Sequence, residues 1–494
     1  MIYKINQELV DKKPLHNIEY PNYKRSDIKC GVVHIGVGGF HRSHQALYIH
    51  KLMQEYPTDL NWGICGIGIM PQDEKMHHSL AEQDCLYTLI EQDNTTTSAK
   101  IIGSIKQYIW GYDNPQHAFD VLSQEQVKLV TITATEAGYY LLEGSGEINL
   151  EHESIKHDIN NLSNPKTIFG YLAVSLNNRK NNNIKPFTVL SCDNMEQNGH
   201  VLQKALIAFC ASYDIELANW IEKNVSFPSC MVDRITPMTT DEDRKSIQQN
   251  YAIDDAYPVV CEPFTQWVIE DNFCNDRPIF EKVGIQFTNN VALYEKMKIR
   301  LLNATHSAMG YLGYLYGHRF IYEIAQDANF TPYLKNMMDL EVTPLLQALE
   351  GVDFTQYKQI LMQRFENENI KDQALRICMD GSGKIPKYIL PSIIEQLKMH
   401  GEKANIRRLT LCVASWIRFL NGKDELGNDI PLVDPQAQRL SAISKQCLSN
   451  PLPMLECRDI FGDLIECNYF VKELSLLLDM LYTKGSKYTL EFCQ

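Results

Sequence analysis

Two stretches of the chain carry residue types that could do chemistry. The first is Gly36-Val37-Gly38-Gly39-Phe40-His41-Arg42, which follows the β-rich run GVVHI (31–35) and leads at once into a helical pattern. Strand, glycine turn and helix start, in that order, aim backbone N–H groups and the positive end of a helix dipole at an anion such as pyrophosphate. Glycine is required because the turn is tight and a side chain would hold phosphates away. A full fingerprint has a third glycine where this chain has His41. The motif therefore reads as a plain structural turn or as a dinucleotide turn, and its strand–helix context favours the second. The acidic ribose ligand expected about twenty residues further on has Gln72 and Asp73 as its nearest candidates. Asp73 would favour NAD over NADP by repelling a 2′-phosphate.

The second stretch holds Lys298, Asn303 and His306 on one predicted helix. At about 100° per residue, Asn303 lies about 140° and His306 about 80° around the axis from Lys298, so one broad face holds all three. Asn303 and His306 are i, i+3 neighbours. A cation, an amide and an imidazole on one face form either a polar site or a solvated stripe with a chance histidine. Leu301 and Leu302 between them make a plain core helix the poorer description.

Metal or thiol chemistry has little local support. The 14 cysteines are scattered and none forms a CxxC pair. Buried free thiols are expected, since disulfide frameworks belong to small exported chains. His77-His78 is an adjacent pair whose side chains diverge on a helix, and an exposed surface is expected there.

The elements that must position these groups fall into two patterns. Short β-rich runs occur at 31–35, WGICGIGI (62–69), LYTLIE (86–91), VKLVTITAT (127–135) and FTVLSC (187–192), with helical patterns at 44–53 and 114–124. Such alternation predicts a mostly parallel sheet with helices on its faces. From about Ala292 the period changes to three and four residues, at 294–317, 332–349, 386–400, 405–420 and 466–482. The expected organisation is an α/β domain over 1–285 and a helical domain over 286–494. The polar stretch NNRKNNNIKP (177–186) is expected to be a surface loop.

Composition narrows the class of protein. With 494 residues, 44% hydrophobic and 22% charged, the chain is globular and long enough for more than one core. The 47 Lys+Arg against 61 Asp+Glu leave a net charge of −14 without a basic block, which argues against nucleic acid and anionic membranes as partners. No run of 18 apolar residues occurs, and MIYKINQELVDKK lacks the apolar core of a signal peptide. A soluble cytoplasmic protein is expected.

Together, VHIGVGGFHRSHQALY (33–48), WGICGIGI (62–69), TATEAGYY (133–140) and SCDN (191–194), then VDRITPMTT (232–240), CEPFTQWVIED (261–271), KMKIRLLNATHSAMGYLG (296–313) and MDGSGKIPKYILP (379–391), resemble the polyol-specific long-chain dehydrogenases, the mannitol dehydrogenase family. The resemblance covers roughly 30–480, and WGICGIGI with EQDCLYTLIE (82–91) looks closest to its mannitol 2-dehydrogenase branch. It implies an α/β fold with an N-terminal Rossmann-type dinucleotide-binding domain carrying insertions, then a mainly α-helical substrate-binding and catalytic domain. It also implies a zinc-independent, NAD(P)-dependent oxidation of an acyclic polyol to a ketose, in a monomer or weak dimer. The family's catalytic lysine falls on Lys298, its alkoxide-binding asparagines on Asn194 and Asn303, and its substrate histidine on His306. The glutamate implicated in proton exchange falls on Glu136. Asp233, Arg376 and Lys384 match positions near the substrate hydroxyls, and structural ion pairing is the competing role for Asp233 and Arg376.

The residue types suit that chemistry. Removing hydride from a secondary alcohol leaves a proton on oxygen, so a base must stand near the carbinol. A lysine at about 10.4 must fall to about 7–8, roughly three units or about 4 kcal/mol, and burial does this by penalising the ammonium. Met297, Leu301 and Leu302 are compatible with such burial. The amides of Asn194 and Asn303 can donate to a developing alkoxide and stay uncharged. Asn194 also follows a predicted strand, at the carboxyl edge where open α/β sheets bind ligands. The expected reaction is the NAD-dependent interconversion of D-mannitol and D-fructose, with NADP still open. The alternatives are a fructuronate or tagaturonate reductase, a D-arabinitol dehydrogenase, or a non-catalytic NAD(H) sensor.

Overall fold

The segment Cys30–Ile35 is buried at every position and forms the central strand, β1. It is followed by β2 (Gly63–Gly68), β3 (Ile105–Trp110), β4 (Leu129–Ile132) and β5 (Thr188–Ser191). These five strands pair in parallel in the order β3-β2-β1-β4-β5. Near-continuous apolar runs are what a parallel sheet covered on both faces demands. Alternate residues divide accordingly. Val33, Ile35, Cys65, Ile67, Val130 and Ile132 enter one core, whereas Val32, Ile64, Leu129 and Leu190 enter the other. The structure, a computed structural model, describes residues 1–142 and 145–494. It divides into two compact units, Met1–Ala292 and Leu293–Gln494.

Three smaller sheets complete the N-terminal unit, one of them a short parallel pair of Tyr3–Lys4 with Ile253–Asp254. An antiparallel pair, Tyr87–Gln92 and Thr97–Ile102, is inserted between β2 and β3, and Val259–Cys261 adds to it in parallel. Cys230–Asp233 (β6), Gln266–Glu270 (β7) and Gln286–Thr288 (β8) form the third, with β7 antiparallel to β6 and parallel to β8. After β1 the chain turns at Gly36 and enters a short helix α1 (Gly39–Ser43), breaks at His44 and continues as α2 (Gln45–Glu55).

The C-terminal unit is helical, and three of its predicted helices are interrupted. The 294–317 pattern is α3 (Val291–Lys298), a π-helical turn at Ile299–Asn303, and α4 (Ala304–Tyr316). The 332–349 pattern is helical only to Leu345, passing through a second π segment at Met337–Val342 before Pro344 closes it. Further on come α5 (Phe354–Phe365), α6 (Ala374–Cys378) and α7 (Gly381–Tyr388). The 386–400 pattern breaks at Ile389, because Pro391 has no N–H to return to the preceding turn.

The stretch 177–186 corrects the sequence expectation of a surface loop. Helix Ile168–Asn181 runs through its first half, and Arg179 is completely buried. Its guanidinium donates to the carbonyls of Leu122 (2.9 Å), Gln124, Val127 and Lys185 and lies 4.9 Å from the Phe187 ring centroid. Burial pushes it down to about 10. Four carbonyls stand in for a carboxylate, so the polar run is a helix end locked by one inward cation. Arg179→Met would leave those acceptors without donors, and a loss of about 3–5 kcal/mol is expected in urea unfolding. A loss below about 1 kcal/mol would contradict this account.

Four histidines are buried in the same unit. Burial lowers His34, His44 and His50 to about 3 and drives His41 well below its ordinary value. In the unfolded chain each binds a proton near pH 6.5, whereas the folded chain refuses it. The unfolded state thus holds more protons below that pH, and stability falls as pH falls, by up to about 1.4 kcal/mol per pH unit for each histidine. Unfolding free energy measured at pH 7, 6 and 5 is expected to drop before carboxylates begin to protonate. A flat profile over that interval would refute it.

Candidate functional site

The glycine turn is built around a close approach of two strands. Gly36 has φ +91°, its N–H donates to Ile67 O (3.0 Å), and a Cβ there would stand 2.2 Å from Thr133 O. Only glycine fits. His34 braces the turn from beneath. Its Nδ1 meets Thr131 Oγ1 at 2.8 Å, its Nε2 meets Thr133 Oγ1 at 3.0 Å, and Thr133 Oγ1 donates to Gly36 O at 2.7 Å. His41, in the third-glycine position, is fully buried with its ring stacked on His34 at 3.4 Å.

The neighbouring glycines have different reasons to be glycine. A Cβ on Gly38 or Gly39 would meet nothing closer than 3.9 Å, so internal packing demands neither. The space left there, next to the free N–H groups at a helix start, fits a bound pyrophosphate. Val37 is buried, and Phe40 stacks on His44 at 5.0 Å. Arg42 turns inward. Its Nε donates to Gly38 O (3.2 Å), Nη1 reaches Tyr257 O, and the guanidinium lies over the Tyr87 and Tyr257 rings. It braces the turn from inside. Asp73 accepts the N–H of Met70 at 2.9 Å beside Gly68, at the carboxyl end of β2, and burial pushes its carboxyl up.

The other expected N-terminal residues also stand at carboxyl ends of strands. Glu136 opens a short turn, Glu136–Tyr139, beyond β4, and Asn194 follows β5 by three residues; both are exposed. Asp233 is the last residue of β6 and is buried. Next to it, Arg234 donates to Glu262 O, Ser43 O and Glu91, tying the small inserted sheet to α1. Thr135 has φ +62° and ψ 163°, a conformation that costs a side-chain-bearing residue on the order of 1–3 kcal/mol. Asp193 takes the N–H groups of Ala134 (3.0 Å) and Thr135 (2.8 Å) and the hydroxyl of Tyr139 (2.7 Å). Sequence reading passed over Asp193, although an acid beside Asn194 at a strand end was a signal that it holds something.

In the C-terminal unit Lys298, Asn303 and His306 are all buried. The π turn alters their spacing. Ala304 N–H donates to Ile299 O, five residues back, so residues five apart overshoot a full turn by less than on an α-helix. The 140° separation of Lys298 and Asn303 expected for a regular helix therefore contracts. Asn303 Oδ1 and His306 Nε2 have no hydrogen-bond partner among the described residues. Buried polar atoms of this kind need an acceptor or donor from a ligand or water. The His306 ring packs on Phe365 at 4.4 Å, and burial, with Arg376, Arg364, Lys384 and Lys298 around it, drives its proton affinity well down. The imidazole is a neutral hydrogen-bonding group. Arg376 is held by Asp372 through two bonds of 2.7 Å, and Lys384 donates to Ile377 O at 3.0 Å. Arg364, Phe365 and Asp372 lay outside the sequence reading, which has no period that links α5 to α4.

Among the described residues no group of three or more His, Cys, Asp or Glu is arranged to hold a metal ion. The 14 cysteines are free thiols, 12 of them buried. His77 departs from the exposed surface expected of it: it is half-buried, its ring 6.1 Å from that of Tyr108, whereas His78 is exposed. No helix among the described residues is long and apolar enough to cross a membrane.

Comparison with known proteins agrees with this architecture. Residues 30–282 match the mannitol dehydrogenase Rossmann domain and residues 290–482 the mannitol dehydrogenase C-terminal domain. The chain is 43% identical over 480 residues to a mannitol 2-dehydrogenase of Phaeosphaeria nodorum, covering 96% of this chain and 83% of that protein. It is likewise 43% identical over 467 residues to mannitol dehydrogenase 2 of Saccharomyces cerevisiae, covering 94% and 92%. Among solved structures, the Pseudomonas fluorescens mannitol 2-dehydrogenase ternary complex with NAD and D-mannitol superposes with a TM-score of 0.91 at 42% identity, covering 99% of each chain. A D-sorbitol dehydrogenase in substrate-free form follows with a TM-score of 0.86 at 31% identity, covering 99% of this chain and 100% of that one. With both halves matched, and with relatives this close along nearly its whole length, the chain belongs to the mannitol dehydrogenase family and is a polyol dehydrogenase.

Proposed function

We propose that this enzyme oxidises D-mannitol to D-fructose with NAD, and reverses the reaction, using a lysine as its base. The observation that carries the reading is the buried Lys298–Asn303–His306 set, with hydrogen-bonding atoms left for a hydroxylated ligand, in a chain 42% identical to a protein described with NAD and D-mannitol. Gly38 and Gly39 would hold the cofactor pyrophosphate through backbone N–H groups, and Asp73 the adenosine ribose. The cofactor's nicotinamide would supply the acceptor for the hydride that leaves the carbinol carbon.

Each residue has a distinct task in this proposal. Lys298 accepts the hydroxyl proton, a role that its burial favours because low dielectric penalises the ammonium. Asn303 in the C-terminal unit and Asn194 in the N-terminal unit each carry a neutral amide of the kind that donates to a developing alkoxide. His306, kept neutral, hydrogen-bonds a substrate hydroxyl without adding a charge. Glu136, exposed at its strand end, exchanges a proton with solvent. Arg376 and Lys384 in the C-terminal unit, and Asp233 in the N-terminal unit, are each given the role of binding a substrate hydroxyl. Because Asp372 already balances the charge of Arg376, a neutral polyol suits that group better than a hexuronate.

Two measurements test the reading. Following NADH absorbance, mannitol with NAD and fructose with NADH are expected to turn over faster than arabinitol, sorbitol, fructuronate or tagaturonate. Faster reduction of fructuronate, or a preference for NADPH, would overturn the substrate and cofactor assignments respectively. Lys298→Ala is expected to lower kcat by about 10³-fold or more while NADH affinity stays near that of the parent. Undiminished turnover would eliminate lysine as the base.

A further inference from the structure

We propose that Asp193 is the positioning residue that fixes the Glu136 turn and the Asn194 loop relative to each other, an inference that rests on the roles given above to those two residues. Asp193 immediately precedes Asn194 and is 7% exposed. Its carboxylate grips the β4 loop on both sides of Glu136. Upstream it accepts the N–H groups of Ala134 at Oδ2 (3.0 Å) and Thr135 at Oδ1 (2.8 Å). Downstream it accepts the hydroxyl of Tyr139 at Oδ2 (2.7 Å), and that hydroxyl also meets Ser191 Oγ at 2.6 Å.

The other side of the clamp is equally fixed. Asp193 O accepts Asn198 Nδ2 at 3.0 Å, and Asn198, fully buried, donates to Cys230 O (2.8 Å) and accepts from Cys230 N (3.0 Å). Cys230 begins β6, which ends at Asp233. One hydrogen-bonded network thus joins the ends of β4 and β5 to β6, and Glu136, Asn194 and Asp233 each lie on a segment it holds. Thr135 gives the network a mechanical purpose. A threonine at φ +62° relaxes unless something keeps it there, and the 2.8 Å bond from its N–H to Asp193 restrains it. The geometry also requires a carboxylate. Three donors converge on two acceptor oxygens, and an amide would turn its NH₂ group against one of them.

The test uses the full-length enzyme. Asp193→Asn is expected to lower kcat about 100-fold, with NADH affinity by fluorescence titration within about twofold of the parent. Tyr139→Phe, which removes one of three donors and keeps the ring, is expected to lower kcat about tenfold. The double variant should be no slower than Asp193→Asn alone, since both act through one clamp. A purely structural role would instead lower activity only in proportion to the unfolded fraction, read by circular dichroism at the assay temperature. A folded Asp193→Asn enzyme with parental kcat overturns the inference. If Asp193→Asn does not fold, Tyr139→Phe decides: a tenfold loss supports the clamp and an unchanged kcat removes it. Asn194→Ala separates the two levels. Its inactivity beside an active Asp193→Asn enzyme sinks the clamp alone, whereas parental turnover in Asn194→Ala sinks the reading on which the clamp depends.

Discussion

Much of the N-terminal unit depends on a single close approach, that of Gly36 to the carbonyl of Thr133. A side chain at that point would meet backbone, which cannot step aside as the end of a flexible side chain can. The contact sets the distance between the exits of β1 and β4, and the hydrogen bonds from His34 and Thr133 hold the two together. From this junction the turn leads to Gly38 and Gly39 on one side and to the Thr135–Tyr139 loop on the other. The glycine turn and the Glu136 loop, to which the proposal gives cofactor binding and proton exchange, are therefore built out from one junction.

The buried polar groups follow a consistent economy. Arg179 and Arg42 draw on backbone carbonyls, and Arg234 on carbonyls and Glu91. Each cation is matched inside its own unit, because an uncompensated buried charge costs several kcal/mol. The buried histidines meet the same demand by remaining neutral. Around His306 this has a chemical consequence. A neutral imidazole among cations can bond a hydroxyl without adding a further charge.

The legibility of the sequence was uneven for physical reasons. Four of the five strands of the parallel sheet were readable because burial on both faces writes continuous apolar runs; the edge strand β3 was not, and the 86–91 run proved to belong to the inserted sheet. The helix carrying Lys298 was readable as a helix, yet the π turn inside it was not. One extra residue per turn leaves the same apolar composition and changes only which carbonyl each N–H finds. The 177–186 stretch misled for the opposite reason. Its polar letters describe solvated side chains except at Arg179, whose partners are carbonyls far away in sequence.

By itself, the order of residues determined the fold class, the family and the identity of the candidate groups, since those are written in local periodicity and in motif spacing. The tertiary structure decided which groups brace and which stand ready. Gly36 is glycine because of Thr133, 97 residues away. Arg42 faces inward toward Tyr257, and Asp193, a residue without a motif of its own, holds the Glu136 turn across 58 and 59 residues of sequence. Hydrogen bonds and steric exclusion act through space, and no local pattern encodes which distant carbonyl, ring or N–H a side chain will meet.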